Sequence, residues 1–137
     1  MEDPRIRKFA HTIINNAIKL QKDEKILIEL HGKETHFLKA IVEEVYKVGG
    51  KPFVHIFDYE VEGALIAGSS EEHMAEIASY ELARMKDMDA YVDIRATENV
   101  SAWSHIPDEK NGGYRKHYWG PIHLEERCSN TRWTVLR

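Results

Sequence analysis

Residues 25–57, KILIELHGKETHFLKAIVEEVYKVGGKPFVHIF, contain the pattern that decides the fold. The first six of these residues are mostly apolar, which is typical of a strand covered on both faces. Apolar residues at helical spacing follow from Phe37 to Val48, and Gly49-Gly50 ends this helix because glycine accepts a left-handed backbone. Residues 52–57 (PFVHIF) are then a second strand, so the stretch predicts one βαβ unit.

The sequence on both sides of this unit continues the alternation of strands and helices. Third and fourth strands are predicted at residues 90–94 (AYVDI) and 133–136 (WTVL). The alternation predicts an α/β fold: a three-layer αβα domain with a mainly parallel four-stranded sheet in the order 2-1-3-4. Because no linker or internal repeat interrupts the pattern, residues 1–137 are predicted to form a single α/β domain.

Local signals predict where several helices begin and bend. Asp3-Pro4 supplies an N-cap acceptor followed by proline at the first helical position. Ser69 and Glu72 form a predicted capping box for the helix before the third strand. A weaker helix follows the third strand at residues 109–126. Glycine and proline disfavour helix, so we expect two bends in it, at Gly112-Gly113 and Gly120-Pro121.

Composition limits the classes of function. The 137 residues carry a formal net charge of −4, which gives no electrostatic case for nucleic acid or an acidic membrane surface as a partner. No apolar run approaches the roughly 20 residues that span a bilayer, and the N-terminus lacks a signal-peptide core. The single cysteine, Cys128, rules out an intramolecular disulfide, so the composition fits a reducing, cytoplasmic setting.

The eight histidines do not form a recognised metal motif. His31 and His36 straddle a predicted turn, and Gly120-Pro121 separates His117 from His123, so neither spacing places two imidazoles on one helical face. We interpret these four as solvated surface histidines. His55 lies in an apolar strand and is interpreted as a hydrogen-bonded core histidine rather than a ligand. No catalytic or metal-binding residue is therefore predicted in this chain.

Acidic residues occur in two settings. Pairs on predicted helices are expected on solvated faces: Glu43-Glu44, Glu71-Glu72 and Glu125-Glu126. Asp58, by contrast, follows the second strand, and Glu98 and Asn99 follow the third. Ligands of parallel sheets bind beyond the carboxyl ends of the strands, so these three residues are predicted to face a ligand or a second domain. Capping of their own loops is the alternative.

Five segments along the chain carry a resemblance to a known family. They are residues 3–6 with the helix that follows, 24–28, 48–52, 89–99 and 130–137. At these points the chain resembles the N-terminal region of the thermophilic metalloaminopeptidases, which include aminopeptidase T, aminopeptidase S and some enzymes named leucyl aminopeptidase. Most of the weight lies on Thr131-Arg132-Trp133 and on the Glu98-Asn99 loop.

The resemblance implies a parent enzyme that removes N-terminal residues from peptides with two divalent metal ions, zinc or cobalt. In the family the metal ligands come from the C-terminal half, and none maps onto this chain, so no cofactor is assigned to these residues. The resemblance also implies that peptide substrates bind through a C-terminal domain, and that the present domain helps to enclose the substrate chamber in a homodimer. A strand that runs almost to Arg137 leads us to expect a piece of a longer, two-domain protein, inactive by itself.

Two other functions stay open from the residues alone. The chain could be a free-standing α/β module that binds a small molecule or a nucleotide through the loops at His31, Asp58 and Glu98. It could also be a purely structural or dimerising domain. Neither alternative requires nucleic acid or a membrane as a partner.

Overall fold

The computed structural model describes residues 3–95, 106–127 and 130–136, without the side chains of residues 124, 125 and 127. Within these residues, parallel strands form one sheet in the order β2-β1-β3-β4. The strands are β1 (Lys25–His31), β2 (Lys51–Phe57), β3 (Ala90–Arg95) and β4 (Arg132–Leu136). The predicted strands and their order are confirmed.

Helices cover both faces of the sheet. They are α1 (Pro4–Thr12), α2 (His36–Lys47), α3 (Tyr59–Gly68), α4 (Glu71–Lys86), α5 (Asp108–Tyr114) and the π-helical segments Ile13–Ala17 and Arg115–Arg127. α1 and α2 pack on the first face, over a core that includes Ile28 and Ile41. α4 and the C-terminal helical segments pack on the second face, over a core that includes Leu27 and Met85. The predicted three-layer αβα arrangement is therefore confirmed.

The alternation of side chains along β1 decides which face carries polar groups. The even-numbered apolar residues of β1 are buried beneath α1 and α2. Leu27 packs against the second helical layer, and Glu29 and His31 face the same side because side chains alternate along a strand. The polar residues in the second half of β1 therefore lie together, near its carboxyl end.

Two predicted helix ends are confirmed. Asp3 is the N-cap of α1, and its Oδ1 accepts a hydrogen bond from the backbone N–H of Arg5 at 2.9 Å. Gly49 has a φ of 81°, the left-handed conformation expected just after α2. Both helix ends depend on residues within one turn of the helix, which explains why they could be predicted from the sequence.

The predicted cap of α4 is shifted by one residue. Ser70, not Ser69, is the N-cap, and its hydroxyl accepts a hydrogen bond from the backbone N–H of His73. Ser69 instead donates its hydroxyl proton to the carbonyl oxygen of Ile66, near the end of α3. The two serines therefore cap different helices. Ser69 satisfies a carbonyl group of α3, and Ser70 satisfies an N–H group of α4.

The helix after β3 differs from the prediction. α5 runs through Gly112-Gly113 without interruption, so the bend expected there is wrong. The change comes at Arg115, where the backbone widens into a π-helix that contains Gly120 and Pro121. A Cβ at Gly120 would lie 3.0 Å from the carbonyl oxygen of Arg115, so the missing side chain allows the wide turn to form there.

β2 forms one edge of the sheet and is largely exposed. Val54 and Ile56 are 42% and 52% exposed, whereas Phe57, at the carboxyl end, is buried. The end of β2 is therefore covered, while its middle borders solvent. None of the helices in the described residues combines the length and apolar character that crossing a membrane requires.

Candidate functional site

A row of polar side chains crosses the middle of the sheet on its second face. The strand register places Glu29 of β1 between His55 of β2 and Asp93 of β3. Glu29 and Asp93 are each 1% exposed, which requires partners that compensate for lost hydration. The row lies toward the carboxyl ends of the strands, where parallel sheets bind ligands, and it is therefore the candidate site.

Glu29 is held between a phenol and an imidazole. The hydroxyl of Tyr91, itself fully buried, donates a hydrogen bond to Glu29 Oε1 at 2.5 Å. On the other side, His55 Nδ1 lies 3.7 Å from Glu29 Oε2. Glu29 therefore links β1 through its side chain to both neighbouring strands.

Asp93 is paired with two groups that lie one row further along the strands. Its Oδ1 is 3.1 Å from His31 Nε2, and its Oδ2 accepts a hydrogen bond from Arg95 Nε at 2.9 Å. Burial by itself would raise the pKa of Asp93, but the hydrogen bonds and charges of His31 and Arg95 outweigh burial and hold the pKa below its ordinary value. The carboxylate is therefore ionised at neutral pH.

His31 joins Asp93 to the aromatic end of β2. Its ring stacks on Phe57, with centroids 4.7 Å apart and planes within 6°. Burial opposes protonation, but the hydrogen bond and charge of Asp93, together with the charges of Glu62 and Glu29, raise the pKa of His31 above 6.5. The side chain is only 15% exposed, so the prediction of a solvated surface histidine is wrong for His31.

His55 lies at the half-exposed edge of the row. Its Nδ1 is 2.9 Å from Arg84 Nη2 and 3.9 Å from Glu81 Oε2, and the same arginine nitrogen donates to Glu81 Oε2 at 2.5 Å. Burial lowers the pKa of His55 below its ordinary value, and the charges of Glu29 and Glu81 offset only part of this effect. His55 is hydrogen-bonded, as predicted, but it belongs to the edge of the sheet and not to the core.

Two adjoining cavities open beside the polar row. The larger, of about 280 Å³, lies between the end of β2, α3, α4 and the start of the C-terminal helical segments. The smaller, of about 40 Å³, is lined by the ion-paired residues of β1 and β3. Four side chains line both cavities: Phe57, Glu62, Tyr114 and Tyr118. The larger, apolar cavity therefore adjoins the smaller, charged cavity at the carboxyl ends of the central strands.

Only one of the residues predicted to face a ligand lies in the described part of the chain. Asp58 is the N-cap of α3 and accepts hydrogen bonds from the N–H groups of Glu60 and Val61, which is the capping alternative. It also lines the larger cavity. Glu98 and Asn99 lie outside the described residues.

Other residues expected on solvated surfaces divide into two groups. Glu44 is 4% exposed and lies 2.7 Å from His11 Nδ1, so the prediction is wrong for this residue. Its position on α2 faces α1, and that contact removes it from solvent. His36 is 84% exposed, as predicted. His117 is largely covered and lies 3.0 Å from Glu71 Oε1, so the prediction is wrong for His117 too.

Comparison with known proteins identifies the family. A family profile described as thermophilic metalloprotease (M29) matches residues 2–136. The chain belongs to this family. The match spans nearly the whole sequence and agrees with the resemblance stated above.

A solved structure shares the fold of this thermophilic metalloprotease domain. Wild-type AmpT from Thermus thermophilus matches with a TM-score of 0.71 at 19% sequence identity. The match covers 97% of this chain and 35% of that chain, so the present chain spans about a third of the AmpT chain. At this identity the likeness concerns the fold alone. A search among curated proteins found no match.

The metalloprotease family implies bound metal, and one group among the described residues offers suitable donors. Glu29, His55 and Glu81 each contribute a ligand atom, and these atoms lie within 4.8 Å of one another. The guanidinium of Arg84, however, already contacts His55 and Glu81 and supplies the positive charge that a metal ion would bring. The group therefore does not fit a catalytic metal centre, and we describe it as an ion-paired network.

The sequence did not predict most of the polar row of this metalloprotease domain or the two groups, His31 and Arg95, that pair with Asp93. No motif singles out Glu29, Asp93 and Arg95, and the spacing of the histidines predicts a surface position for His31. One signal was available: Glu29 and Asp93 are charged residues inside apolar strands, where burial requires partners. The register that brings the row together is a tertiary property and has no signal in the sequence.

His55 in the polar row and His31, which lies next to the row and contacts Asp93, should have pKa values on opposite sides of the ordinary histidine value. In an NMR titration of the ring protons, we expect His31 to have a pKa above 6.5 and His55 to have a pKa below it. The raised pKa of His31 stabilises the fold fully below 6.5, and this contribution is lost as pH rises through the folded-state pKa.

The lowered pKa of His55 has the opposite sign: its contribution is present above 6.5 and is lost as pH falls through the folded-state pKa. Asp93→Asn is the matched test, because it should lower the pKa of His31 and leave the pKa of His55 nearly unchanged. Equal pKa values for the two imidazoles in the unmodified chain would contradict this description of the row.

Proposed function

We propose that the chain is the N-terminal domain of a metal-dependent aminopeptidase, an enzyme that removes N-terminal residues from peptides. The observation that carries the proposal is the thermophilic metalloprotease profile over residues 2–136. The length relation supports it, since the chain corresponds to 35% of AmpT. We place two divalent metal ions, zinc or cobalt, in a separate catalytic domain that also binds the peptide substrate.

The ion pairs of the described residues favour a supporting role over a catalytic one. Two-metal hydrolysis needs several carboxylate and imidazole donors, which hold the cations that generate hydroxide and polarise the scissile carbonyl. Here Asp93 is engaged by His31 and Arg95, and Arg84 engages His55. In our proposal this surface forms one wall of the substrate chamber of a homodimeric, cytoplasmic enzyme.

The test compares the 137-residue chain with the protein encoded when the reading frame is followed past Arg137. We expect the longer protein to release p-nitroaniline from leucine p-nitroanilide with added Zn²⁺ or Co²⁺, and EDTA to abolish this activity. We expect the chain alone to release none above a metal-only blank. Metal analysis after desalting should find a pair of ions in the longer protein and none retained by the chain.

Two outcomes would contradict different parts of the proposal. Chelator-sensitive hydrolysis by the 137-residue chain would show that the chemistry resides in these residues. If the longer protein bound metal but cleaved no peptide or anilide substrate, the proposal that it is an aminopeptidase would be contradicted.

A free-standing binding module is the second candidate function, and the adjoining cavities favour it. The lining of the larger cavity argues against a nucleotide there, because phosphates require cationic or N–H donors. Among the described residues that line the larger cavity there is no lysine or arginine. The larger cavity of such a module would therefore suit a cation rather than a phosphate.

A further inference from the structure

Three donor atoms from different elements converge at the β2 edge of the sheet. They belong to Glu29 on β1, His55 on β2 and Glu81 on α4, and all three lie within 4.8 Å of one another. His55 Nδ1 is 3.7 Å from Glu29 Oε2 and 3.9 Å from Glu81 Oε2. Donors bound to one tetrahedral zinc ion lie about 3.4 Å from one another. The two spacings from His55 therefore exceed this geometry by about 0.5 Å at most.

The guanidinium of Arg84 already serves these donors as a cation. Its Nη2 lies 2.9 Å from His55 Nδ1 and 2.5 Å from Glu81 Oε2. A guanidinium can only donate hydrogen bonds, so Nδ1 is the acceptor nitrogen of His55 and directs its lone pair at the arginine. A metal ion would use the same lone pair and the same carboxylate oxygen. It can therefore bind only when the guanidinium leaves.

Arg84 is incompletely satisfied in this position. Its Nε is buried and has no hydrogen-bond partner among the described residues, which is unfavourable for a polar group. The side chain is partly exposed and belongs to the last turn of α4, so the guanidinium can turn outward into water without unfolding the helix. Outside the group, Nε would be hydrated. This gain offsets part of the cost of breaking the contacts with His55 and Glu81.

The donors can be reached from solvent on one side. His55 and Glu81 are half-buried and line the larger cavity, whereas Glu29 is fully buried behind them. The Tyr91 hydroxyl donates to Glu29 Oε1, and Oε2 is the oxygen nearer His55. Hydrogen bonds of this kind commonly orient the carboxylates that ligate metals. The group therefore has both an entry path and a fixed inner ligand.

From these observations we propose that Glu29, His55 and Glu81 form a site for a divalent transition-metal ion such as Zn²⁺, which binds when Arg84 turns outward. Two carboxylates and an imidazole suit Zn²⁺, whereas Mg²⁺ prefers oxygen donors and keeps its water. A bound ion ties β2, the exposed edge strand, to β1 and α4. Because the guanidinium competes for the same donors, the ion exchanges readily and is lost on desalting.

Calorimetric titration of the metal-free 137-residue chain with ZnCl₂ tests this inference without any peptidase substrate. We expect saturable binding of a single ion per chain. NMR of the histidine ring protons should show His55 shifting over the same range of Zn²⁺ concentration. MgCl₂ should bind at least about tenfold more weakly, because it lacks affinity for imidazole.

Arg84→Met is the decisive variant, because it removes the competing charge and keeps a long, flexible side chain. It should tighten Zn²⁺ binding at least about tenfold, since the arrangement that accepts the ion is then no longer a minor state. Loss of folding cannot produce this result. Lys86→Met is the matched control: Lys86 is an exposed cation in the same last turn of α4, and its removal should leave the affinity nearly unchanged.

His55→Gln tests the donor set itself. It removes the imidazole and should weaken Zn²⁺ binding at least about tenfold. His36→Gln is the matched control, since His36 is an exposed histidine outside the group, and it should leave the affinity unchanged.

Three outcomes would overturn the site. The first is an unchanged Zn²⁺ affinity in Arg84→Met or in His55→Gln. The second is equal binding of Mg²⁺ and Zn²⁺, which would indicate attraction to acidic groups without coordination by imidazole. The third is an equal loss in His55→Gln and His36→Gln, which would indicate adventitious zinc on scattered histidines. The aminopeptidase function is tested separately, through the longer protein, and none of these outcomes changes it.

Discussion

Replacing Asp93 with alanine should destabilise the fold by about 3 kcal/mol, the cost expected when one partner of a buried ion pair is removed. The carboxylate is 1% exposed and is paired with His31 and Arg95. Without it, the imidazole and the guanidinium keep their burial but lose the charge that compensates for their desolvation. The measurement is urea unfolding at pH 6, followed by circular dichroism.

Asp87→Ala is the matched control for this change. Asp87 is also an ion-paired carboxylate, 2.7 Å from Lys25 Nζ, but it is 66% exposed. An exposed pair contributes at most about 1 kcal/mol, so the control should unfold close to the unmodified chain. The double change Asp93→Ala/Arg95→Met removes Asp93 together with one of its two partners, so it should recover part of the loss while His31 stays without the carboxylate. Equal costs for Asp93→Ala and Asp87→Ala would contradict the importance of burial.

The cost of Asp93→Ala should depend on pH in a defined direction. Asp93 has a lowered pKa, so its contribution is present above 3.8 and is lost as pH falls through the folded-state pKa. His31 has a raised pKa, so its contribution is present below 6.5 and is lost as pH rises through the folded-state pKa. The difference between variant and unmodified chain should therefore be largest between about pH 4 and 6.5.

The arrangement of strands and helices could be predicted because it depends on local patterns. The apolar run of β1, the glycines after α2 and the Asp3-Pro4 cap act within a few residues of where they stand. The prediction was less accurate where tertiary contacts compete with local preference. α5 passes through Gly112-Gly113, because each glycine lowers helix propensity by only about 1 kcal/mol and does not by itself end a helix.

The polar row could not be predicted, for a geometric reason. Glu29, His55 and Asp93 lie far apart in the sequence and meet only through the register of three strands. A slip of one residue in β3 would send Asp93 to the opposite face of the sheet. His31 stands at the end of β1 beside a glycine turn, and its burial comes from stacking on Phe57, a contact between different strands.

Replacing Tyr91 with alanine should cost about 4 kcal/mol, the value typical of removing a buried aromatic ring. Tyr91 is fully buried and is among the largest such side chains in the described residues. The change removes two contributions: the ring leaves a cavity in the second core, and the hydroxyl no longer donates to Glu29 Oε1. Because a domain has a total stability of about 5–15 kcal/mol, the midpoint of urea unfolding should fall steeply.

Tyr91→Phe separates the two contributions, because it keeps the ring and removes only the hydroxyl. It should cost about 2 kcal/mol, since Glu29 stays buried and loses the hydrogen bond from the Tyr91 hydroxyl. Tyr80→Phe, at a residue 71% exposed, is the control and should leave stability unchanged. If Tyr91→Phe were as stable as the unmodified chain, the hydroxyl would not be needed to stabilise the buried carboxylate of Glu29. A measurable cost for the hydroxyl alone would instead mean that its hydrogen bond compensates Glu29 for the hydration that the carboxylate loses inside the sheet.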